Sequence, residues 1–354
     1  MTNQLHNCSA FRIFIFLLLI LVIPLNALAA KKPSKQTHIA KPEPQFIFEI
    51  PSQWLLTRAG DCDTLTLFLR NPADPLQQLF FFPRFGPVYM SQDQKLSDLQ
   101  YETLSGHSLT RRDMPIVNPL TPENFVRFLP QILQMKTMRD FLPDRPGLRV
   151  VEPISATPQK NALEYPDTQT AIIRFLFVQD NQLGEGLLAI TTVPSPEYRS
   201  APGGGIGMGY LFYGITAAKG RLDQQLPELL QLGRNFKLSA SYEKECRKGR
   251  AEDLSMLIQP GNSLQPVLDS MASVWKKRTP AEDMAVERRA DTLRQVERLH
   301  RTATGEVYEF PLGFSKQYLT NSDQYNLSDL QPLPDDPRHW QKAPLDGMKH
   351  IYRK

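Results

Sequence analysis

The sequence predicts an α+β fold in which helices cover an antiparallel sheet. Two apolar runs rich in β-branched and aromatic residues, 172–178 and 187–193, flank the turn sequence DNQLG at residues 180–184. Such runs around an Asx/Gly turn are typical of a β-hairpin. Residues 210–216 form a third run that can pair beside the hairpin. A sheet of this kind presents apolar side chains that helices must bury, and helical patterns occur before and after it in the chain.

The remaining elements of the main domain follow from apolar patterns and capping residues. Short apolar runs predict further strands at residues 46–50, 64–69, 79–82, 148–153 and 236–238. Ser91 can cap a helix that extends to about residue 104. Thr121 followed by Pro122 and Glu123 starts another helix, because threonine supplies the N-cap oxygen and proline fits the first helical position. Leucines at helical spacing over 226–232 predict a third helix. Residues 46–240 are therefore expected to form one domain with a substantial core.

The C-terminal part is expected to pack on this main domain. Residues 241–262 are charged and predict a linker. Apolar residues at i, i+3, i+4 and i+7 from Leu264 to Trp275 predict a helix with one apolar face, which needs a partner surface. A second helix starts at Thr279 with a capping-box sequence, and residues 295–310 predict a hairpin that turns at 303–305. From residue 319 onward the sequence predicts an irregular surface segment.

The N-terminal segment predicts export. Arg12 precedes an apolar run over residues 13–25, and Ala27 and Ala29 form a small-x-small cleavage sequence. The run is shorter than the roughly 20 residues of a membrane span, so a cleaved signal peptide over residues 1–29 is favoured over an uncleaved anchor. Residues 30–45 are rich in lysine and proline and predict a linker. No further run is long enough to span, so we expect a periplasmic or secreted protein.

Charge and cysteine content narrow the function classes. Cleavage after Ala29 removes one basic residue, Arg12, which leaves 40 basic and 37 acidic residues and a net charge of +3. A nearly neutral chain without a basic stripe excludes nucleic acid as an expected partner. Two cysteines remain, Cys62 and Cys246, and their presence in an exported chain predicts one disulfide, with two buried thiols as the alternative.

The motifs that could carry chemistry give no catalytic residue, metal site or cofactor. Residues 202–209 are rich in glycine, but neither lysine with serine or threonine nor a helix follows them, so they do not fit a phosphate loop. The histidines lack the spacing of a helical metal pair. If a protein or small molecule binds, the expected place is the seam between residues 46–240 and 263–354, with Trp275, Tyr308 and Phe310 as candidate contacts. The alternative is that these three side chains fill the seam as core.

Several segments of the chain carry a resemblance to known proteins: GDCDTLTLFLRNPADPLQQLFFF, MPIVNPLTPENF, MGYLFYGITAAKG, TGEVYEFPLGF and PLDG, with Trp275 and Arg278, and with Glu297 and Arg298. On these residues, the chain from about residue 46 to its end resembles a family of uncharacterised exported bacterial proteins. The order of strands and helices over 46–240 also resembles the PsbP-like fold, an α/β/α sandwich. That resemblance implies an accessory or partner-binding role. An extracytoplasmic hydrolase with a site assembled from scattered residues is the alternative.

Overall fold

A seven-stranded antiparallel sheet forms the centre of the molecule. The computed structural model describes residues 46–47, 50–106, 112–161, 163, 165–195, 205–248 and 260–351. The strands of the sheet are β2 (Leu55–Ala59), β3 (Thr66–Asn71), β4 (Asp74–Tyr89), β5 (Val150–Pro158), β6 (Gln169–Gln179), β7 (Gln182–Pro194) and β8 (Ile206–Ala218). Their order is β2-β3-β4-β8-β7-β6-β5. The predicted signal peptide, residues 1–29, and the predicted linker, residues 30–45, lie outside the described residues.

The predicted hairpin is confirmed as β6 and β7. Their ladder runs without interruption from Gln169–Thr192 to Gln179–Gln182. Asp180 and Asn181 form the two-residue turn, and both have positive φ, 49° and 62°. Asx residues tolerate this conformation best after glycine, which is why this sequence can close a tight hairpin. The third run is also confirmed, because β8 pairs antiparallel with β7.

Strand β4 is longer than the sequence predicted. The expected strand over 79–82 ended before Pro83, whereas β4 continues to Tyr89 along β8. A register shift between Phe85 and Val88 accommodates Gly86 and Pro87 in the ladder. Strand β2 was not predicted. The expected strand at 46–50 is described only as β1 (Phe46–Ile47), which pairs with β9 (Lys237–Leu238) in a separate two-stranded sheet.

Helices cover both faces of the sheet. One core lies between the sheet and the short helices α2 (Pro122–Arg127), α3 (Leu129–Gln134) and α4 (Lys136–Phe141). The other core lies between the sheet and the helices α5 (Leu222–Asn235) and α7 (Pro260–Lys276). Side chains of β4 alternate between the cores, with Phe80 and Phe82 in the first and Leu79 and Phe81 in the second. The α+β prediction, an antiparallel sheet covered by helices, is therefore confirmed.

The capping sequences locate helix starts correctly. Ser91 accepts a hydrogen bond from the backbone N–H of Gln94 and caps α1 (Gln92–Ser105). Thr121 caps α2, and Thr279 and Glu282 form the predicted capping box of α8 (Pro280–Arg294). The predicted linker at 241–262 is partly helical, because α6 (Ala240–Arg247), capped by Ser239, and the start of α7 fall inside it. Residues 249–259 lie outside the described residues.

A second sheet follows α8. The predicted hairpin is confirmed as β10 (Val296–Arg301) and β11 (Val307–Pro311). The expectation of an irregular segment after residue 319 was wrong, because β12 (Leu330–Pro332) and β13 (Leu345–Asp346) extend this hairpin into a four-stranded sheet. Short helices complete the region: α9 (Phe314–Thr320), α10 (Pro337–Trp340) and α11 (Gly347–Ile351). Among the described residues, no helix combines the length and the apolar character needed to cross a bilayer.

Candidate functional site

The three aromatic residues expected at the seam are divided between two cores. Trp275, in the last turn of α7, is buried in the core that α5 and α7 form on the main sheet. Tyr308 and Phe310, on β11, are buried in the core of the second sheet. There the ring of Phe310 stacks on Phe314 with 4.2 Å between centroids. Tyr308 and Phe310 therefore belong to core packing, whereas Trp275 also lines a cavity.

That cavity is an open cleft of about 310 Å³ where the main sheet, α7, α8 and the second sheet meet. We call it the charged cleft, and its lining includes Arg174, Lys219, Trp275, Arg278, Glu287 and Lys342. Its residues come from chain positions as far apart as 174 and 344.

Arg174 forms the floor of the charged cleft on the sheet side. It lies on β6, on the same face as Ile172, and its side chain is only 7% exposed. A buried guanidinium requires compensating partners. Its Nη1 donates to Asp283 Oδ1 at 2.7 Å, and its Nη2 lies 3.6 Å from Glu185 Oε2 on β7. The Arg174 guanidinium also lies over the indole of Trp275, with Cζ 4.7 Å from the ring centroid.

The α7 side of the charged cleft combines Trp275 with Arg278. The Arg278 Cζ lies 4.3 Å from the centroid of Trp275, so two guanidiniums contact one indole. Asp223, in the first turn of α5, accepts from Trp275 Nε1 at 2.7 Å and from Arg278 Nη2 at 2.7 Å. Arg278 Nη1 also donates to the carbonyl of Trp275 at 2.9 Å. These contacts fix the indole edge and leave Arg278 with most of its donors already used.

Helix α8 places a second carboxylate network opposite the end of β8. Glu287 accepts from Lys219 Nζ at 2.5 Å and from Arg298 Nη2 at 2.6 Å. Burial opposes ionisation of Glu287, but the attraction of Lys219 and Arg298 outweighs it, so the pKa of this carboxyl lies below its ordinary value. Asp291, behind the cleft, shows the opposite balance: burial raises its pKa although Arg298 and Arg294 oppose that effect.

The segment after α10 closes the C-terminal side of the charged cleft. Trp340 lies between Arg288 and Arg298, whose Cζ atoms are 5.1 and 5.4 Å from its ring centroid. Trp340 Nε1 donates to the carbonyl of Pro334 at 3.0 Å. Lys342 is exposed, and its Nζ donates to the carbonyl of Gly305 at 2.7 Å. Cation–π contacts thus hold both tryptophans of the lining.

The lining is rich in charged side chains. It contains five cationic side chains and four carboxylates, and no serine, threonine, cysteine or histidine contributes to it among the described residues. The described lining therefore lacks the residues of a serine–histidine or cysteine–histidine pair. The acidic side chain with a resolved pKa shift, Glu287, is held in its ionised form, which is the opposite of a general acid.

The two remaining cysteines lie together in the structure. Cys62 and Cys246 form a disulfide with Cα atoms 5.3 Å apart and a sequence separation of 184 residues. It connects a 3-10 turn, Cys62–Thr64, with α6. The backbone N–H of Cys62 also donates to the hydroxyl of Tyr242 at 2.8 Å.

The described histidines of the C-terminal part lie at residues 300, 339 and 350. The rings of His300 and His339 are 5.8 Å apart, and Asp336 Oδ2 lies 3.8 Å from His339 Nδ1. Within the described ranges no group of three or more histidine, cysteine, aspartate or glutamate residues could hold a metal ion.

Sequence reasoning identified Trp275 but missed the rest of the charged cleft. A signal for two further residues was available: Arg174 interrupts the apolar run of β6, and Glu185 lies between two glycines at the start of β7. A charged residue inside an otherwise apolar strand needs a buried partner, and an oppositely charged residue on the next strand supplies one. The contribution of Lys342 had no comparable signal.

Comparison with known proteins gives a fold-level likeness. No family model matches the chain, and no curated protein matches it. One matching solved structure is the solution structure of cyanobacterial PsbP (CyanoP) from Synechocystis sp. PCC 6803. The identity is 14%, the match covers 56% of this chain and 89% of that chain, and the TM-score is 0.23. This match names the fold that the element order resembles, and a TM-score of this size carries no argument.

Proposed function

We propose that the protein is an exported, non-enzymatic accessory or binding protein of the bacterial cell envelope, and that the charged cleft is its binding site. The shape and composition of the cleft support this proposal. It is concave and rich in fixed polar groups, and the indole of Trp275 forms part of its surface. Small-ligand sites are likewise concave, use placed polar groups to orient the ligand, and occur preferentially at interfaces between domains. A disulfide between the two cysteines that follow the signal sequence agrees with an oxidising compartment.

The hydrolase alternative receives less support. A hydrolase needs a nucleophile, a base and an oxyanion site around one point of the cavity. The described lining supplies ion pairs at this point instead, and Arg174, Arg278 and Lys219 are each paired with a carboxylate. Paired charges of this kind orient a bound molecule or hold the walls together, and neither role requires turnover.

A ligand screen with a blocked cleft tests the proposal. The exported chain is screened by thermal shift against small polar compounds of negative, zero and positive charge. Ala343→Trp fills the cleft from an exposed lining position, and Ala73→Trp, at an exposed turn position outside the lining, is the matched control. We expect at least one compound to raise the melting temperature of the wild type and of Ala73→Trp but not of Ala343→Trp. A screen without such a compound, or hydrolysis of chromogenic esters that Ala343→Trp abolishes, contradicts the proposal.

Export is tested separately by intact-mass measurement. The small residues Ala27 and Ala29 lead us to expect cleavage after Ala29. A protein recovered outside the cytoplasm whose mass still includes residues 1–29 would show that the segment is an anchor.

A further inference from the structure

The charged cleft carries a small excess of positive charge. Its five cations, Arg174, Lys219, Arg278, Arg298 and Lys342, face four carboxylates, so the lining has a formal charge of +1. The carboxylates are themselves paired: Glu185 with Arg174, Asp223 with Arg278, Asp283 with both arginines, and Glu287 with Lys219. An incoming anion therefore meets neutralised carboxylates together with a surplus cation.

The unused hydrogen-bond donors of the cleft belong mainly to its two lysines. A lysine ammonium has three donors. In the described part of the chain Lys219 Nζ donates to Glu287, and Lys342 Nζ donates to the carbonyl of Gly305. Lys342 forms no ion pair with a carboxylate among the described residues. These two ammonium groups reach the cleft from separate elements, the end of β8 and the segment after α10.

A buried guanidinium lies beneath these lysines. Arg174 Nε has no hydrogen-bond acceptor in the described structure, but this nitrogen is fully buried and cannot reach an incoming ligand. The accessible spare donors are therefore those of the two lysines. A ligand that supplies oxygen acceptors matches both lysines, whereas a ligand that supplies only donors matches neither.

We propose that the charged cleft binds a small organic molecule that carries one or two oxyanion groups, carboxylate or phosphate, with Lys219 and Lys342 as the groups that recognise it. This inference rests on the proposed binding function. A volume of about 310 Å³ suits a molecule with a short carbon skeleton, for which Met284 and Pro344 supply apolar contacts.

Titration calorimetry of the full exported chain tests the ligand class with matched probes. Succinate, succinamide and putrescine have the same four-carbon length and are anionic, neutral and cationic. Glycerol 3-phosphate and glycerol form a second matched pair and separate phosphate from carboxylate. We expect succinate or glycerol 3-phosphate to bind, with an affinity that falls as salt is raised, and the neutral and cationic probes not to bind.

Lysine variants test whether Lys342 is one of the groups that bind the oxyanion. Lys342→Gln removes the charge of an exposed side chain, and Lys316→Gln makes the same change at an exposed position of α9 outside the lining. Because a charge-assisted hydrogen bond contributes about 1.5–3 kcal/mol, we expect Lys342→Gln to weaken oxyanion binding by about tenfold or more, and Lys316→Gln by less than about twofold.

Three outcomes overturn the inference. If neither succinate nor glycerol 3-phosphate binds, the ligand class is wrong. If an oxyanion binds Lys342→Gln as tightly as the wild type, recognition lies elsewhere. If succinamide or putrescine binds and Ala343→Trp abolishes that binding, the ligand class is wrong while the proposed binding function stands. The proposed function itself fails when no compound of the broad screen depends on the cleft, or when the protein hydrolyses chromogenic esters and Ala343→Trp abolishes that activity.

Discussion

The guanidinium of Arg174 lies over the indole of Trp275, with Cζ 4.7 Å from the ring centroid. This contact joins β6 of the main sheet to the last turn of α7, and Asp283 at the start of α8 accepts from the same guanidinium at 2.7 Å. One buried cation therefore bridges three elements, and the indole of Trp275 beside it is also buried. The wall of the charged cleft and the core beneath it depend on this single arrangement.

Removal of the Trp275 indole is expected to destabilise the whole protein. Trp275→Ala deletes a buried ring and leaves two guanidiniums without their π contact, so we expect the free energy of unfolding to fall by about 3–5 kcal/mol. Urea unfolding followed by circular dichroism measures the change. Leu104→Ala, at a leucine of α1 that is 88% exposed, is the control and is expected to change it by less than about 0.5 kcal/mol. Equal effects of the two substitutions would contradict a structural role for the indole.

The Cys62–Cys246 disulfide is expected to be present and stabilising in the exported protein. It closes a loop with a sequence separation of 184 residues. Loop closure of the unfolded chain by a native disulfide contributes about 2–5 kcal/mol, so we expect the double variant Cys62→Ser, Cys246→Ser to lose stability of this size. Thiol titration of the unfolded, unreduced exported protein is expected to find no free thiol. A titration of two thiols per chain would show that the pair is reduced.

The pKa of Glu287 is expected to depend on Lys219. Burial alone would raise this pKa, and the positive charges of Lys219 and Arg298 bring it below the ordinary value of 4.5. A carboxyl with a lowered folded-state pKa stabilises the fold above its ordinary pKa, and this contribution disappears as the pH falls through the folded-state value. We expect Lys219→Gln to raise the pKa of Glu287 and to reduce stability at about pH 6 but not at a pH below both pKa values.

Carbon-detected NMR titration of the Glu287 carboxyl measures this pKa directly. Lys316→Gln is the control, because Lys316 is exposed and lies outside the charged cleft. An unchanged Glu287 titration in Lys219→Gln would mean that Arg298 alone holds the carboxyl in its ionised form.

Local signals explain which parts of the fold could be predicted. The hairpin of β6 and β7 combines strand-forming runs with a turn, and the capped helices begin with residues that satisfy their own backbone donors. The C-terminal end of β4 could not be predicted, because Pro83, Gly86 and Pro87 interrupt the apolar strand pattern. The strand continues past them because it pairs with β8. Strands β12 and β13 are two or three residues long, so only their partners on the second sheet define them.

The charged cleft was less predictable than the fold, for a related reason. Its members are brought together by long-range packing, as between Arg174 on β6 and Asp283 on α8, or between Lys219 just after β8 and Glu287 on α8. No spacing in the sequence encodes these pairs. The aromatic residues predicted one member of the cleft correctly, because Trp275 lines it, whereas Tyr308 and Phe310 are buried in the core of the second sheet. The presence of an aromatic residue in the sequence does not show whether it lines a cleft or fills a core.

The division into a main domain at 46–240 and a docked part at 263–354 yields the last prediction. Helix α7 buries Leu268 and Met271 completely, in the same core as Tyr213 and Ile215 of β8. Helix α8 likewise packs Val286 against Leu176 of β6. Because these side chains complete the core of the main sheet, we expect the exported chain to unfold in a single cooperative transition. Leu268→Ala is expected to lower the free energy of that transition by about 2–5 kcal/mol, and Leu319→Ala, at an exposed position of α9, by less than about 0.5 kcal/mol.

Two truncated chains test whether the main domain and the C-terminal part each need the other to fold stably. Residues 263–354 alone would have to fold around the small core of the second sheet, with the apolar faces of α7 and α8 exposed to water. Small units bury proportionally less surface, so we expect no cooperative melt from this fragment. Residues 30–250 alone would expose the sheet face that α7 covers, and we expect them to melt at a lower temperature than the full exported chain. A cooperative melt of the C-terminal fragment, or an unchanged melt of residues 30–250, would show two independent domains, because each half would then possess a complete core of its own.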